Sequence, residues 1–303
     1  MEIRQDVSMA EYSTFKAGGK AKYFASVSSV EDIMELMKFA REKDCPVFVL
    51  GNGSNILFSD KGFDGLVIHM GKDFADMEVV WENDSEVCVE AKAGMMLSAF
   101  GKKCVAMGLG KVEFACGIPG SVGGAIYMNA GAYGGEMKDI VTEVCFLDVD
   151  GEVRRFSGEE CEFGYRESFW EKNEADGKRV ILSMRVCLPR ADKEEVLKTV
   201  EELRAKRVAS QPVEVPSAGS TFKRPEGYFA GKLIMDAGLK GFKLDESGAQ
   251  VSPKHAGFVV NNEGKADASD IYRLICYVID EVDKKFGVRL CPEVRLIGFE
   301  EEE

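Results

Sequence analysis

Histidine is nearly absent from this chain: His69 and His255 are the two among 303 residues. Imidazole-based metal centres and serine–histidine triads are therefore poorly supplied. No two of the nine cysteines lie closer than twelve positions, the nearest being Cys104 and Cys116, so there is no CxxC pair. A zinc ribbon and a thioredoxin-like motif are both excluded, and no metal is expected. Basic residues are also short, with 39 Lys and Arg against 52 Asp and Glu, a net charge of −13. Such a balance argues against a nucleic-acid partner or an anionic membrane surface, because phosphate contacts need basic side chains. No apolar run approaches the roughly 18 residues that span a bilayer. The opening MEIRQDVSMAEYSTF lacks the apolar core of a signal peptide. These absences point to a reduced, soluble, cytoplasmic protein without membrane insertion.

What is present fits a globular chain of two or three domains, with 45% hydrophobic and 30% charged residues. Residues 117–135, GIPGSVGGAIYMNAGAYGG, hold seven glycines in nineteen positions with hardly any charge. Interior glycine costs about 0.5–1 kcal/mol against alanine in a helix or strand, so a regular element is not expected there. A solvated linker would be more polar. The run reads either as tight turns or as main chain lying against a flat or phosphorylated ligand, where glycine lets N–H groups approach an anion. A second departure from the average lies at 204–243, where eight Lys or Arg stand against three acids, a local +5. It favours a small anionic ligand.

Periodicity supplies a coarse map. A helix is expected over 28–43, with Ser28 capping and Glu31 three residues on. A strand follows at 46–50, then a glycine turn and another strand near 66–69. Residues 77–92 read as a hairpin around Asn83-Asp84, and a helix of about ten residues should end before Gly108. Strands are expected at 141–156 and 179–188, with GYRES (164–168) between them. A helix near 192–208 leads to a joint at 209–216. The strongest helical stripe is 269–286, with Ile271, Leu274, Ile275, Val278, Val282 and Phe286 on one face and Gly287 as the stop. A last strand runs 293–299, and the acidic end reads as a solvated tail.

Two short motifs carry chemistry. GNGSN (51–55) begins like a dinucleotide fingerprint but has Ile56 at the third glycine position and no clear capped helix after it. A Walker A sequence is absent. Gly51, Asn52, Gly53, Ser54 and Asn55 can still present N–H and hydroxyl groups to a pyrophosphate. SAGSTFKRP (217–225) sets Ser220 between Gly219 and Thr221, with Lys223 and Arg224 just beyond. Ser220 reads as a nucleophile, a proton donor or a plain turn hydroxyl; GxSxG is missing.

The ordered set STFKAGGKA (13–21), LGNGSN (50–55), GIPGSVGGA (117–125), NAGAYGGE (129–136), GYRES (164–168), SAGSTFKRP (217–225), GKLIMDAGLKG (231–241) and PEVRLIG (292–298) spans nearly the whole chain. It resembles the UDP-N-acetylenolpyruvoylglucosamine reductase (MurB) family, flavoenzymes of bacterial cell-wall precursor synthesis. The resemblance implies an α+β chain: a two-subdomain FAD-binding fold of the vanillyl-alcohol-oxidase (PCMH) type plus a C-terminal α+β substrate-binding domain. It divides the chain into 1–72, with 290–303 as a candidate addition, 73–208 and 209–289.

The implied cofactor is non-covalent FAD, cradled by Gly51–Asn55, by Gly117, Ile118, Pro119, Gly120, Ser121, Gly123 and Gly124, and by Asn129, Ala130 and Gly131. NADPH is the implied reductant, and the substrate is the enolpyruvyl ether of UDP-N-acetylglucosamine, reduced to UDP-N-acetylmuramate. Hydride reaches the vinyl C3, and charge gathers at C2 and on the carboxylate. Arg166 and Glu293 match the family residues that stabilise this charge, and Ser220 matches the proton donor to C2. Lys206, Arg207 and Lys223 are candidates for a cation that assists Ser220. Lys223, Arg224 and Lys232 are expected to bind the substrate, and the basic stretch 204–243 fits its diphosphate. Roughly 80 residues separate the 209–216 joint from the last strand, as in the shorter family form that lacks a tyrosine-bearing loop.

The rival is another FAD-dependent oxidoreductase of the same superfamily acting on an alcohol or sugar; a non-catalytic relative is opposed by the retention of Ser220, Arg166 and Glu293. Many of those oxidoreductases tether FAD through a histidine, and neither His69 nor His255 stands in a glycine run. Acid precipitation of the purified protein is therefore expected to leave the yellow colour in the supernatant; colour in the pellet would favour the rival.

Overall fold

The computed structural model describes residues 1–176 and 178–299. In chain order the first elements are β1 (Arg4–Ser8), β2 (Lys20–Ser26), α1 (Val30–Lys43), β3 (Val47–Leu50), β4 (Ile56–Phe58) and β5 (Phe63–His69). Next come β6 (Met77–Glu82), β7 (Glu86–Lys92), α2 (Leu97–Ala106), α3 (Val122–Tyr127), β8 (Gly131–Ala132), β9 (Gly135–Glu136), β10 (Val141–Leu147), β11 (Val153–Ser157), α4 (Phe169–Lys172) and β12 (Val180–Pro189). The last third holds α5 (Lys193–Ser210), α6 (Ala230–Asp236), β13 (Ala249–Val251), β14 (Val259–Asn261), α7 (Ala268–Phe286) and β15 (Arg295–Ile297). The expected acidic tail after Phe299 lies outside the described residues.

By internal packing the chain divides into two compact units. The first takes Met1–Ile3, Phe24–Asn52 and Leu66–Lys206; the second takes Arg4–Tyr23, Gly53–Gly65 and the chain from Arg207 on. Helix α5 carries the backbone from the first into the second.

In the first unit, α1 is capped one residue later than expected. Ser29, not Ser28, is the N-cap, in a reciprocal box with Asp32. Ser28 donates both its N–H and its hydroxyl to Asp32 Oδ2, at 2.8 and 2.9 Å. That backbone bond is the main cause that holds the Asp32 carboxyl below its usual range. Helix α1 leads into β3, which pairs in parallel with the second half of β5. Five further strands form an antiparallel sheet in the order β11-β10-β12-β7-β6. In the β12–β7 ladder Ser183 faces Lys92 and the pairing runs without a break to Pro189 facing Glu86, with Cys187 opposite Cys88.

One face of this sheet buries Val87, Val89, Ala91, Met184, Val186 and Leu188, and α3 packs against β12 and β7. The other face carries charge. Glu90 accepts from Ser183 at 2.7 Å and from Arg185 at 2.6 Å. Burial opposes its ionisation, yet these bonds and the nearby Arg155 hold its carboxyl below the ordinary value.

The second unit is built around α7. Ile271, Leu274, Ile275, Val278 and Val282 are fully buried, as the stripe predicts, and each contributes on the order of 1.5–3 kcal/mol when fully withdrawn from water. Phe286 departs from the expectation and is 36% exposed. It is the last helical residue, where Gly287 at φ +66° closes the helix with its N–H on Asp283 O. Strand β4, absent from the sequence map, pairs in parallel with β15. Helix α6 and the β13–β14 hairpin were not legible either. Each is seven residues or fewer, too short to display a period.

Asn261, at the end of β14, is fully buried and donates to Phe15 O at 2.9 Å and Ala266 O at 3.0 Å while its Oδ1 accepts from Ala266 N at 2.9 Å. Asn261→Ala leaves buried backbone groups unpaired and should cost about 2–4 kcal/mol. The half-exposed Asn262→Ala should cost under about 1 kcal/mol by the same denaturant midpoint measurement. Equal losses would show that Asn261 does not tie these loops together.

Candidate active site

The glycine run is not a string of turns. A six-residue helix, α3, lies inside it, capped by Ser121, whose Oγ accepts from Gly124 N. The expectation of no regular element there is corrected. Gly123 is tolerated because its would-be Cβ lies 3.0 Å from the Cβ of Ala93, so the helix packs where a side chain would crowd it. The run's main chain is also largely committed to the protein. Val122 N–H bonds Met95 O and Gly123 N–H bonds Ala93 O, both at 2.8 Å, and Ile118 N–H bonds Ala115 O. Among the described residues, the N–H groups of Gly120 and Ser121 have no acceptor.

Gly117 ends a short 3-10 turn, and Pro119 O accepts from Asn52 Nδ2. Gly51 lies so near this segment that a Cβ would stand 2.1 Å from Ser121 Oγ. The two glycine strings of the first unit are thus fitted to each other.

Downstream, Asn129 sits at φ +43° and is fully buried. Its Nδ2 donates to Glu136 Oε2 at 3.0 Å and to Gly164 O at 2.8 Å, and its Oδ1 accepts from Lys138 N. The side chain is therefore engaged as a brace, so any contact with a cofactor falls to its main chain. Ala130 N–H is engaged with Ala125 O, and Gly131 begins the β8–β9 hairpin.

The brace leads to Arg166. Gly164 and Glu167 bond each other's backbone, closing a two-residue turn with Tyr165 and Arg166 at its tip. Arg166 stands at φ +58°, a conformation costing of order 1 kcal/mol for a non-glycine residue. Its Nη2 donates to Gly131 O at 3.1 Å, and its guanidinium lies 5.3 Å from the Tyr165 ring centre. Burial opposes ionisation of Glu136, but Lys138, Asn129 and the charge of Arg166 hold its carboxyl low.

In the second unit Ser220 and Glu293 are brought together through Thr221. Thr221 is 1% exposed. Its N–H donates to Gly257 O, its Oγ1 accepts from Val259 N, and its carbonyl accepts from Glu293 N at 2.8 Å. Phe222 then bridges Pro292, and Lys223 N–H bonds Cys291 O. This antiparallel ladder fixes the backbone of Ser220 next to that of Glu293. Gly219, at φ +76°, turns the chain just before it. The hydroxyl of Ser220 is exposed and has no hydrogen-bond partner among the described residues. Asn55 completes the clamp: its Nδ2 donates to Glu293 O at 3.0 Å and its carbonyl accepts from Arg295 N at 3.0 Å.

Thr14 joins the same set, with Oγ1 donating to Ser217 O at 2.6 Å and N–H donating to Gly53 O at 3.1 Å. A Cβ on Gly53, at φ +63°, would stand 1.8 Å from Tyr12 O. Gly53 is buried, and the N–H groups of Asn52, Gly53 and Ser54 find no acceptor among the described residues. Buried donors without acceptors are rare in proteins, and a loop offering consecutive free N–H groups fits a diphosphate.

The basic candidates differ. Lys223 is anchored in the ladder. Arg224 lies 4.0 Å over the Phe229 ring and bonds Tyr228 O. Lys232 forms an exposed i,i+4 pair with Asp236 at 2.9 Å, a surface bridge of little energetic weight. Thr221 and the Asn129 brace to Gly164 escaped the sequence reading because those partners are remote in the chain. The signal for Thr221 was only its place inside SAGSTF.

A family model described as FAD binding domain matches residues 21–157. With the free N–H groups of the 52–54 loop, it defines the class: an FAD-dependent oxidoreductase of α+β fold. A second model, described as UDP-N-acetylenolpyruvoylglucosamine reductase, C-terminal domain, matches 211–297. The UDP-N-acetylenolpyruvoylglucosamine reductase of Agathobacter rectalis is 48% identical, covering 98% of this chain and 94% of its own. That of Clostridioides difficile is 43% identical over 98% and 94%. The crystal structure of the Thermus caldophilus enzyme superposes with a TM-score of 0.78 at 32% identity, over 98% of this chain and 100% of that one. The chain belongs to the UDP-N-acetylenolpyruvoylglucosamine reductase family.

Gly53→Ala must move the Tyr12 carbonyl as well as adopt a positive φ. It is expected to lower flavin retention and stability together, by about 2 kcal/mol or more in the latter. Gly124→Ala, in helical geometry with only Ser121 Oγ at 3.4 Å from the new Cβ, should change stability by at most about 1 kcal/mol. Flavin absorbance per protein and denaturation midpoints decide; equal effects would contradict the geometry.

Proposed function

We propose that this protein reduces the enolpyruvyl ether of UDP-N-acetylglucosamine to UDP-N-acetylmuramate, with NADPH as electron source, in peptidoglycan precursor synthesis. The observation that supports the reading beyond family membership is the Thr221 ladder, which brings the backbone of Ser220 next to that of Glu293, with the exposed Ser220 hydroxyl unpartnered among the described residues. Residues 1–72 and 73–208 serve FAD binding and 209–289 serves the substrate, a functional division separate from the division by packing.

FAD, when bound, would supply the two-electron redox chemistry between NADPH and the substrate. Gly51–Asn55, the segment 117–124 and the main chain of 129–131 would hold it. Arg166 binds the substrate carboxylate through its planar fork, matching the charge that develops there. The strained turn is consistent with this role, because a costly conformation persists where it is over-determined by bonds such as those of Asn129 and Gly131. Glu293, in its protonated form, donates a hydrogen bond to the same enolate system. Ser220 delivers the proton to C2, and its lack of a hydrogen-bond partner among the described residues leaves the O–H available. Lys223 and Arg224 supply positive charge to the diphosphate, and Lys232 adds to it from α6.

Without oxygen, NADPH is expected to bleach the flavin, and colour should return only when the enolpyruvyl sugar nucleotide is added. Ser220→Ala should leave bleaching by NADPH unchanged and slow the return of colour by about 10²–10⁴-fold, the usual contribution of a positioned proton donor. Equal slowing of both halves would remove Ser220 from the proton-donor role.

A further inference from the structure

Away from these residues, the charged face of the five-stranded sheet brings two thiols together. Cys88 on β7 and Cys187 on β12 are directly opposite in an unbroken antiparallel register. Two bonds set the parity of that ladder. Arg190 N–H donates to Ser85 O and Ala93 N–H donates to Leu182 O, each at 2.8 Å. Both are directly opposed pairs in the same register, so both are hydrogen-bonded pairs, and such pairs alternate with non-hydrogen-bonded ones. Counting inward from either end, Cys187 and Cys88 form a non-hydrogen-bonded pair. Opposed Cα atoms at such a position lie about 4.5 Å apart, with side chains at their closest, inside the roughly 4.4–6.8 Å range that a disulfide bridges.

Burial first, then the neighbouring Cys187 side chain, pushes the Cys88 thiol up to about 12. Cys187 is half-buried and lies 4.0 Å from the hydroxyl of the exposed Thr142, so it reaches solvent.

We infer that Cys88 and Cys187 are a redox-active dithiol, a cross-strand site that low-molecular-weight disulfides convert to an intramolecular disulfide. The Cys187 thiolate attacks one sulfur of the small disulfide, whose S–S bond breaks and releases one thiolate. Cys88 then loses its proton to solvent, and its sulfur attacks Cys187 in the mixed disulfide, forming the cross-strand bond and expelling the second thiolate. The two protein thiols are oxidised by two electrons, the small disulfide is reduced to two thiols, and the protons end on them. The product closes a loop of roughly a hundred residues through the sheet, which restricts the unfolded chain. The remaining cysteines offer no equal: Cys104 and Cys116 are both buried, and Cys145 faces Ser183.

The full-length flavoprotein, reduced and then equilibrated without oxygen in glutathione buffers of rising disulfide content, tests this. Peptide mapping should show Cys88 linked to Cys187 before any other cysteine pair, together with a rise in the thermal midpoint that dithiothreitol reverses. Cys187→Ser should abolish the link and the rise. Cys88→Ser, or Cys88→Ala if the serine variant fails to fold, should stop at glutathione on Cys187. Glutathione accumulating on the exposed Cys291 while Cys88 and Cys187 stay unlinked would overturn the inference. A thermal rise that survives Cys187→Ser would do the same.

Discussion

The second unit depends on one buried threonine. Thr221 spends its N–H on Gly257, its hydroxyl on Val259 and its carbonyl on Glu293. A residue with three directions fixed leaves its neighbours little freedom. Ser220 is held next to it, and Glu293 is placed by the bond it donates. Breaking any one of these bonds would leave a buried polar group unpaired, at about 1–3 kcal/mol. Asn55 reinforces the arrangement by gripping the backbone on both sides of Val294. Rigidity in this shell matters because a proton donor misplaced by an ångström loses much of its effect.

The first unit uses glycine in a different way from what its density implies. The run at 117–135 reads as main chain freed for a ligand, yet most of its N–H groups in 118–124 are bound to the protein, through Ala115, Ala93, Met95 and Ser121. Glycine there serves close packing: Gly51 against Ser121, and Gly123 against Ala93. Among the described residues, the N–H groups of Gly120 and Ser121 in this run stay without acceptors, as do those of 52–54. The cradle is therefore selective, and the same glycines that leave it open also build the scaffold that aims it.

Legibility in the sequence followed length and locality. Helix α7 was readable because its stripe repeats over five turns and ends at a glycine, and the β6–β7 hairpin because a turn pair separates two apolar strings. Strand β4 and helix α6 are too short to show a period, and α3 was concealed by the very glycines that argue against helix. Arg166, Ser220 and Glu293 could be singled out only through the ordered motif set. No local rule reveals that Glu293 lies beside Thr221, because that pairing joins residues 72 positions apart, Thr221 N-terminal and Glu293 C-terminal in one bond. Asn129 shows the opposite limit: its place in NAGAYGGE draws attention to a ligand, while its three bonds assign the side chain to holding the Arg166 turn.

The most direct test of this account is Thr221→Val, which keeps the side-chain shape and removes the Oγ1 acceptor of Val259 N–H. Each half-reaction is then followed at the flavin without oxygen. The account predicts that reduction by NADPH keeps its rate while reoxidation by the enolpyruvyl sugar nucleotide slows, because the variant disturbs the seat of Ser220 and Glu293 alone. Reoxidation at the wild-type rate in a folded, flavin-loaded variant would contradict it.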